Sequence, residues 1–151
     1  MTVFGGDTIF AADVNALTER VNSTPIVADS ATWNATEASI TTVAATLVSG
    51  QKYKIWFSGR ISTDVAADAA NLRIREDNLT GTQLQLHQVY LPTTTGNGWG
   101  TYFYAEYTAV ASASKTFALT AQRSIGTGTA HRIRAAATAP GYFVVDKIVV
   151  S

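Results

Sequence analysis

Two histidines, His87 and His131, are the only side chains here whose ordinary pKa suits general acid or base work near neutral pH. A nucleophilic triad would need one of them held by a carboxylate and touching a Ser or Thr hydroxyl. Neither sits in a recognisable motif, and each falls within a stretch that reads as a strand. Solvated or interface histidines are therefore expected. Among the acids, Asp64 and Asp68 flank a loop and Glu76-Asp77 occupies a turn. Convergent carboxylates can hold calcium, but solvated turns account for these positions, and no metal site is assigned. A glycosidase would need two opposed carboxylates; the 11 acidic residues are sparse, and such a pairing is not one that sequence spacing reveals. There is no Gly-Lys-Ser/Thr phosphate loop. The sequence thus predicts no catalytic residue, no cofactor and no enzyme.

Stacking chemistry remains. The chain has three tryptophans, Trp33, Trp56 and Trp99. Trp99, with Asn97 close by, lies in a Thr/Gly loop over 93–100 that can present a ring to a sugar, so these two are candidate glycan contacts. Trp56 lies opposite the apolar side of its own strand, which puts it on an exposed surface or a subunit contact. Tyr102, Tyr104 and Tyr107 place aromatic area on both faces of one strand. Core or subunit packing is the first expectation for them, and a glycan-binding surface the second.

The elements that must position these groups read almost wholly as β-structure. Lys52–Thr63 is the clearest strand. Tyr53, Ile55, Phe57, Gly59 and Ile61 point one way and Lys52, Lys54, Trp56, Ser58 and Arg60 the other. Further strands are predicted over 31–34, 39–47, 71–76, 82–91, 101–110, 116–123, 131–137 and 142–150. In 82–91, Leu84 and Leu86 are expected to share a face. Turns fall at 49–51, 77–81 and 140–141, where Gly, Asn, Asp and Pro collect. Strands at roughly ten-residue spacing argue for a sandwich or barrel, with the jelly roll the best fit. One stretch differs. Phe10, Val14, Leu17 and Val21 recur at helical spacing, with Asp13 in the first turn and Arg20 in the last. A helix over about 10–21 is predicted, too short to stand alone in water, with Asn22–Ser30 as a linker behind it.

A single domain of 151 residues can bury a real core. Hydrophobic residues are 46%, whereas charged residues are only 15%, below the roughly 25% usual for soluble domains. That deficit favours a surface partly covered by copies of the chain or by a partner. The formal net charge is zero, so no pull toward nucleic acid or anionic membrane follows. Cysteine is absent, which removes disulfides and thiolate metal sites. No apolar run approaches a transmembrane helix, and no basic start with an apolar stretch marks a signal peptide.

The segment FGGDTIFAADVNALTERVN resembles the N-terminal segment of many tailed-phage virion proteins, with Asp7, Ala11, Ala12, Asp13, Asn15 and Leu17 matching. Phe10 stands where that group has Thr or Ser, so the expected capping hydroxyl is missing. The remainder resembles the C1q/tumour-necrosis-factor jelly roll through 51–55, the Tyr-rich 102–107, 116–119 and 145–148. The resemblance implies an all-β jelly-roll sandwich preceded by a short helix, with an attachment segment over 1–24 and the sandwich over 25–151. It implies a homotrimeric, non-enzymatic virion component assembled in the bacterial host cytoplasm. Its partners would be tail or capsid proteins, as a minor tail or fibre protein or as a capsid decoration. Phe10, Val14, Leu17 and Val21 would dock it. A host surface glycan is the further partner considered.

Overall fold

The computed structural model describes residues 18–94 and 98–149. Among them the chain forms β1 (Thr18–Ile26), β2 (Ala38–Leu47), β3 (Lys52–Ser62), β4 (Asp68–Glu76), β5 (Gln83–Leu91), β6 (Trp99–Thr108), β7 (Ala113–Ile125), β8 (Arg132–Arg134) and β9 (Gly141–Ile148). They build two antiparallel sheets. One runs β1-β9-β3-β6, and β8 pairs with β3 just beyond the point where β9 stops. The other runs β2-β7-β4-β5. Most connections cross between the sheets, and the first and last strands are neighbours. This is a jelly-roll β-sandwich.

The alternation in the sequence explains the packing. On β3, Tyr53, Ile55, Phe57 and Ile61 are buried, and they meet Phe103 and Ala105 of β6 and Phe143 and Val145 of β9. Leu72 and Ile74 of β4 and Phe117, Leu119 and Ala121 of β7 supply the other half of the core. Phe57 and Phe103 meet edge to face at 6.1 Å, as do Tyr107 and Phe117 at 5.3 Å. The buried Tyr53 hydroxyl accepts a hydrogen bond from the Val48 amide at 2.8 Å, which removes the cost of an unpaired phenol. Gly59 is forced by packing: a Cβ there would lie 2.4 Å from the Phe57 ring. Truncating a core ring such as Phe57 to Ala typically costs about 3–5 kcal/mol.

Three expectations are corrected here. The helix predicted through Val21 gives way to strand from Thr18, and the linker predicted from Asn22 is strand through Ile26. Strand β1 takes eight partner residues along β9, from Thr18 opposite Ile148 to Ile26 opposite Gly141. A long ladder outweighs a marginal helical turn. Pro25 is tolerated because β1 is an edge strand. The register slips between Arg20 and Asn22, a bulge that lets Val21 pack against the core. Strand β1 therefore crosses the division drawn between residues 24 and 25. Phe10, Val14 and Leu17 lie outside the described residues, as does the rest of the predicted helix.

Strand β5 brings the second correction. Its pairing with β4 shifts between Ile74 and Arg75. The bulge reverses the phase of the strand, so Leu86 faces solvent while Leu84, His87, Val89 and Leu91 turn inward. The third concerns His131. It is fully buried, stacked on Trp33 at 4.9 Å, not solvated. Trp33 makes only an isolated bridge to His131 rather than a strand.

Candidate functional site

The outer faces of the two sheets differ in kind. On β2-β7-β4-β5, polar groups satisfy one another. Arg75 clasps Glu37 with bonds of 2.8 and 2.9 Å, Thr120 Oγ1 donates to Glu37 at 2.5 Å, and Arg73 donates to Gln83 and Gln122. Burial alone would raise the Glu37 pKa. The Arg75 and Thr120 hydrogen bonds and the charges of Arg73 and Arg75 outweigh it and hold the carboxyl below its usual range. At the end of this sheet, on the inward parity, Lys115 bridges Glu76 at 2.7 Å and Asp77 at 2.9 Å. The outer face leaves little hydrogen-bonding capacity unmet.

The outer face of β1-β9-β3-β6 is aromatic. Strand register sets Tyr104, Trp56 and Val144 in one row, and Tyr102, Ser58 and Tyr142 in the next. Three tyrosines stay open to solvent: Tyr102 at 49%, Tyr104 at 46% and Tyr142 at 41%. Strand alternation produces this pattern, because Phe103 and Ala105 occupy the buried positions between them. The ring centroids of Trp56 and Tyr102 lie 5.9 Å apart, and those of Tyr102 and Tyr104 6.4 Å apart. The Lys54 ammonium sits 4.7 Å from the Tyr104 centroid and 5.6 Å from that of Tyr102. That is within reach for a cation over an aromatic face.

Asp146, opposite Lys54 in the adjoining row of the same face, fixes this surface. Its carboxylate accepts a hydrogen bond from Trp56 Nε1 at 2.7 Å and pairs with Arg20 Nε at 2.6 Å. The Arg20 guanidinium then lies 5.5 Å from the indole centroid. Trp56 is thus oriented by a charge-assisted bond and partly roofed by Arg20, while the tyrosines stay open. An open cavity of about 400 Å³ borders the same strand, lined by Gln85, Tyr102, Tyr104 and Glu106 among others.

Trp99, a glycan contact expected from the sequence, and the loop acids Asp64 and Asp68 fall elsewhere. Trp99 begins β6 opposite Ile61, on the inward parity, so it does not share the face of Tyr102 and Tyr104. It is 40% exposed at the sheet end, with Nε1 donating to Thr93 O at 3.4 Å. Asn97 lies outside the described residues. Asp64 and Asp68 are not simply solvated turn residues. Asp68 accepts the Thr127 and Gly128 amides, and Asp64 accepts those of Thr129 and Ala130, so the pair clamps the β7–β8 loop. Burial would raise the Asp64 pKa, but the Ala130 and Thr129 hydrogen bonds hold it low. Among the described residues no group of three or more His, Asp or Glu side chains could hold a metal ion.

His131 Nε2 lies 3.2 Å from Asp68 Oδ2 but off the line of a hydrogen bond, leaving both ring nitrogens unpartnered among the described residues. Both residues are sealed from solvent, so this His–Asp pair cannot meet a substrate. His87 stacks on Phe103 at 5.1 Å and its Nε2 lies 3.1 Å from Thr101 Oγ1. Burial lowers the pKa of both histidines, and for His131 it outweighs the opposing charges of Asp68 and Asp64.

No family model matches the chain, and no curated protein matches it either. Solved structures give distant likenesses. One is described as "CBM4 structure and function", 18% identical, with a TM-score of 0.38, covering 74% of this chain and 69% of that one. The EclA C-terminal domain, described as a sugar-binding protein, is 14% identical with a TM-score of 0.39, covering 76% and 74%. The VP2 subviral particle of infectious bursal disease virus is 15% identical with a TM-score of 0.41, and there 87% of this chain spans only 38% of the other. These likenesses concern the β-sandwich alone.

Proposed function

We propose that the chain is a non-enzymatic recognition module of a bacteriophage particle, and that the outer face of β1-β9-β3-β6 binds a carbohydrate. One observation carries the binding part. Half-buried Trp56 and the solvent-open rings of Tyr102, Tyr104 and Tyr142 form a shallow aromatic surface, bordered by Lys54, Ser58 and Glu106. Sugar rings present apolar C–H faces for stacking and peripheral hydroxyls for hydrogen bonds, which is the chemistry this face offers. The particle part rests on the N-terminal AADxNxL segment and the low charge density. In this reading the N-terminal segment attaches the module to a tail, fibre or capsid, and the sandwich projects outward as part of a homotrimer. A glycan array probed with the wild type and Tyr104→Ala tests it. Binding should weaken about tenfold in the variant, with unfolding midpoints alike. Equal signals from the two proteins, or none from the wild type, would overturn it.

A second reading has its own observation. Large exposed apolar side chains in a chain with few charges also suit a contact between copies. It would make the same rings a subunit interface.

A further inference from the structure

The aromatic surface does not end at Ser58. The outward side of β3 continues through Arg60 to Ser62, where β8 replaces β9 as the neighbouring strand. Arg60 stands opposite Arg134 on one side and Gly100 on the other, and Ser62 stands opposite Arg132. One sheet face therefore carries rings at one end and three guanidinium groups at the other. At roughly 3.3 Å per residue, Trp56 and Arg60 are about 13 Å apart along the strand, a span suited to an oligosaccharide rather than one sugar.

The arginine end is a built recess. A cavity of about 290 Å³ is lined by Ser62, Thr63, Asp64, Thr94, Arg132 and Arg134. Two carboxylates lie near, and both are engaged. Asp29 accepts the Ala135 amide at 3.0 Å and Arg134 Nη1 at 2.5 Å, with Arg132 at 3.9 Å. Asp64 accepts the Thr129 and Ala130 amides. Arg60 makes no hydrogen bond or ion pair with the described residues. Arg134 and Arg132 thus share Asp29, Asp64 is taken up by backbone amides, and Arg60 is left without a carboxylate among the described residues. Gly100, beside Arg60, has open space where a Cβ would point. Arg60 is half-buried, and no side chain flanks it on the Gly100 side. Gly98 packs close, with a Cβ position 3.1 Å from both Arg60 Cβ and Arg134 Cγ and a left-handed φ of 76° that suits glycine.

Taken with the aromatic rows, this asymmetry names a ligand class, and the inference rests on the carbohydrate reading above. We infer that the groove takes an acidic oligosaccharide, stacking a sugar ring on Tyr102 and Tyr104 while a carboxylate, sulfate or phosphate substituent meets Arg60, Arg134 and Arg132. Guanidinium forks recognise all three anions by paired charge-assisted hydrogen bonds. A single-stranded nucleic acid also combines rings and phosphates, but it needs cations along its whole track. Here the cations beside the aromatic rows, Lys54 and Arg20, are matched by Glu106 and Asp146, so uncompensated positive charge lies at the far end alone.

The test is an array of matched oligosaccharides, each neutral member paired with uronate, sulfated and phosphorylated counterparts, together with an oligothymidylate. It is probed with the wild type, Arg60→Gln, Gly100→Val and Tyr104→Ala, and folding is checked by thermal melts. The wild type should prefer at least one charged class about tenfold over its neutral partner, and added salt should erode that preference. Arg60→Gln should abolish the preference and retain neutral binding. Gly100→Val, whose side chain enters open space, should weaken the charged members selectively. Tyr104→Ala should weaken charged and neutral members together. Equal wild-type binding to charged and neutral members overturns this inference and leaves the carbohydrate reading standing. A preference unchanged in Arg60→Gln also overturns it. Absence of binding to any glycan overturns both readings, and tighter binding to oligothymidylate replaces them with a nucleic-acid groove.

Discussion

His131 shows how one side chain ties stability to pH. Its ring is buried against Trp33 and its pKa is lowered by that burial. In the unfolded chain the imidazole takes up a proton near pH 6.5, while in the folded chain it resists protonation. The unfolded state then binds more protons as pH falls through about 6.5, so stability declines with acid. His87, also lowered by burial, adds to the same trend. Glu37 and Asp64, held below the usual carboxylate range, extend it below about pH 4.5. Urea unfolding midpoints measured from pH 8 to pH 5 should therefore fall, and His131→Phe should flatten the slope. A variant with the wild-type slope would exclude His131 as its source. None of this was legible in the sequence. His131 alternates correctly for a strand, but its burial depends on Trp33 and Asp68, which lie far off in the chain and carry no local signal. The open tyrosines were half legible: alternation with Phe103 and Ala105 put them on one face, and only register with Trp56 and Tyr142 made that face a surface.

At the scale of elements, strand β1 carries the sharpest consequence. It covers the outer edge of β9 and supplies Arg20 to Asp146. Asn22 and Thr24 also reach across to the other sheet, donating to Ala44 O at 2.6 Å and Thr42 O at 2.8 Å, and so stitch the sandwich along that edge. A chain beginning at Thr18 should melt cooperatively near the full-length temperature. One beginning at Val27 should melt at least several degrees lower and expose β9 to edge pairing. Equal melting temperatures would show that β1 contributes nothing to the sandwich. Strands β3, β6 and β7 were readable because inward apolar residues alternate along Tyr53–Ile61, Phe103–Tyr107 and Phe117–Ala121. Strand β1 was not, because Glu19, Arg20 and Pro25 interrupt its pattern and Phe10, Val14, Leu17 and Val21 offered a competing helical period. Strand β5 was placed correctly but phased wrongly beyond Leu84, since a bulge leaves no mark on composition.

For the whole molecule, the low charge density and the exposed apolar residues bear on assembly. Light scattering at micromolar concentration should give three times the 16.0 kDa chain mass, and Tyr104→Ala should leave that mass unchanged if the aromatic face is free for a ligand. A trimer that dissociates on this substitution would put copies on that face, and a stable monomer would remove the trimer. The pairing of β1 with β9 has a geometric consequence for any such particle. Thr18 lies opposite Ile148, at the same end of the sheet as Lys52, whereas Arg60 and Ser62 lie at the other end. Polypeptide leading into the sandwich and polypeptide leading out of it leave from one corner. A module tethered there has a fixed polarity: its arginines form the leading tip, roughly 20 Å or more beyond the tether along the strands. Its aromatic rows form the shank behind that tip. A polymer on an opposing surface would meet the charged tip first and the rings second, so approach and grip would be separate events along one face.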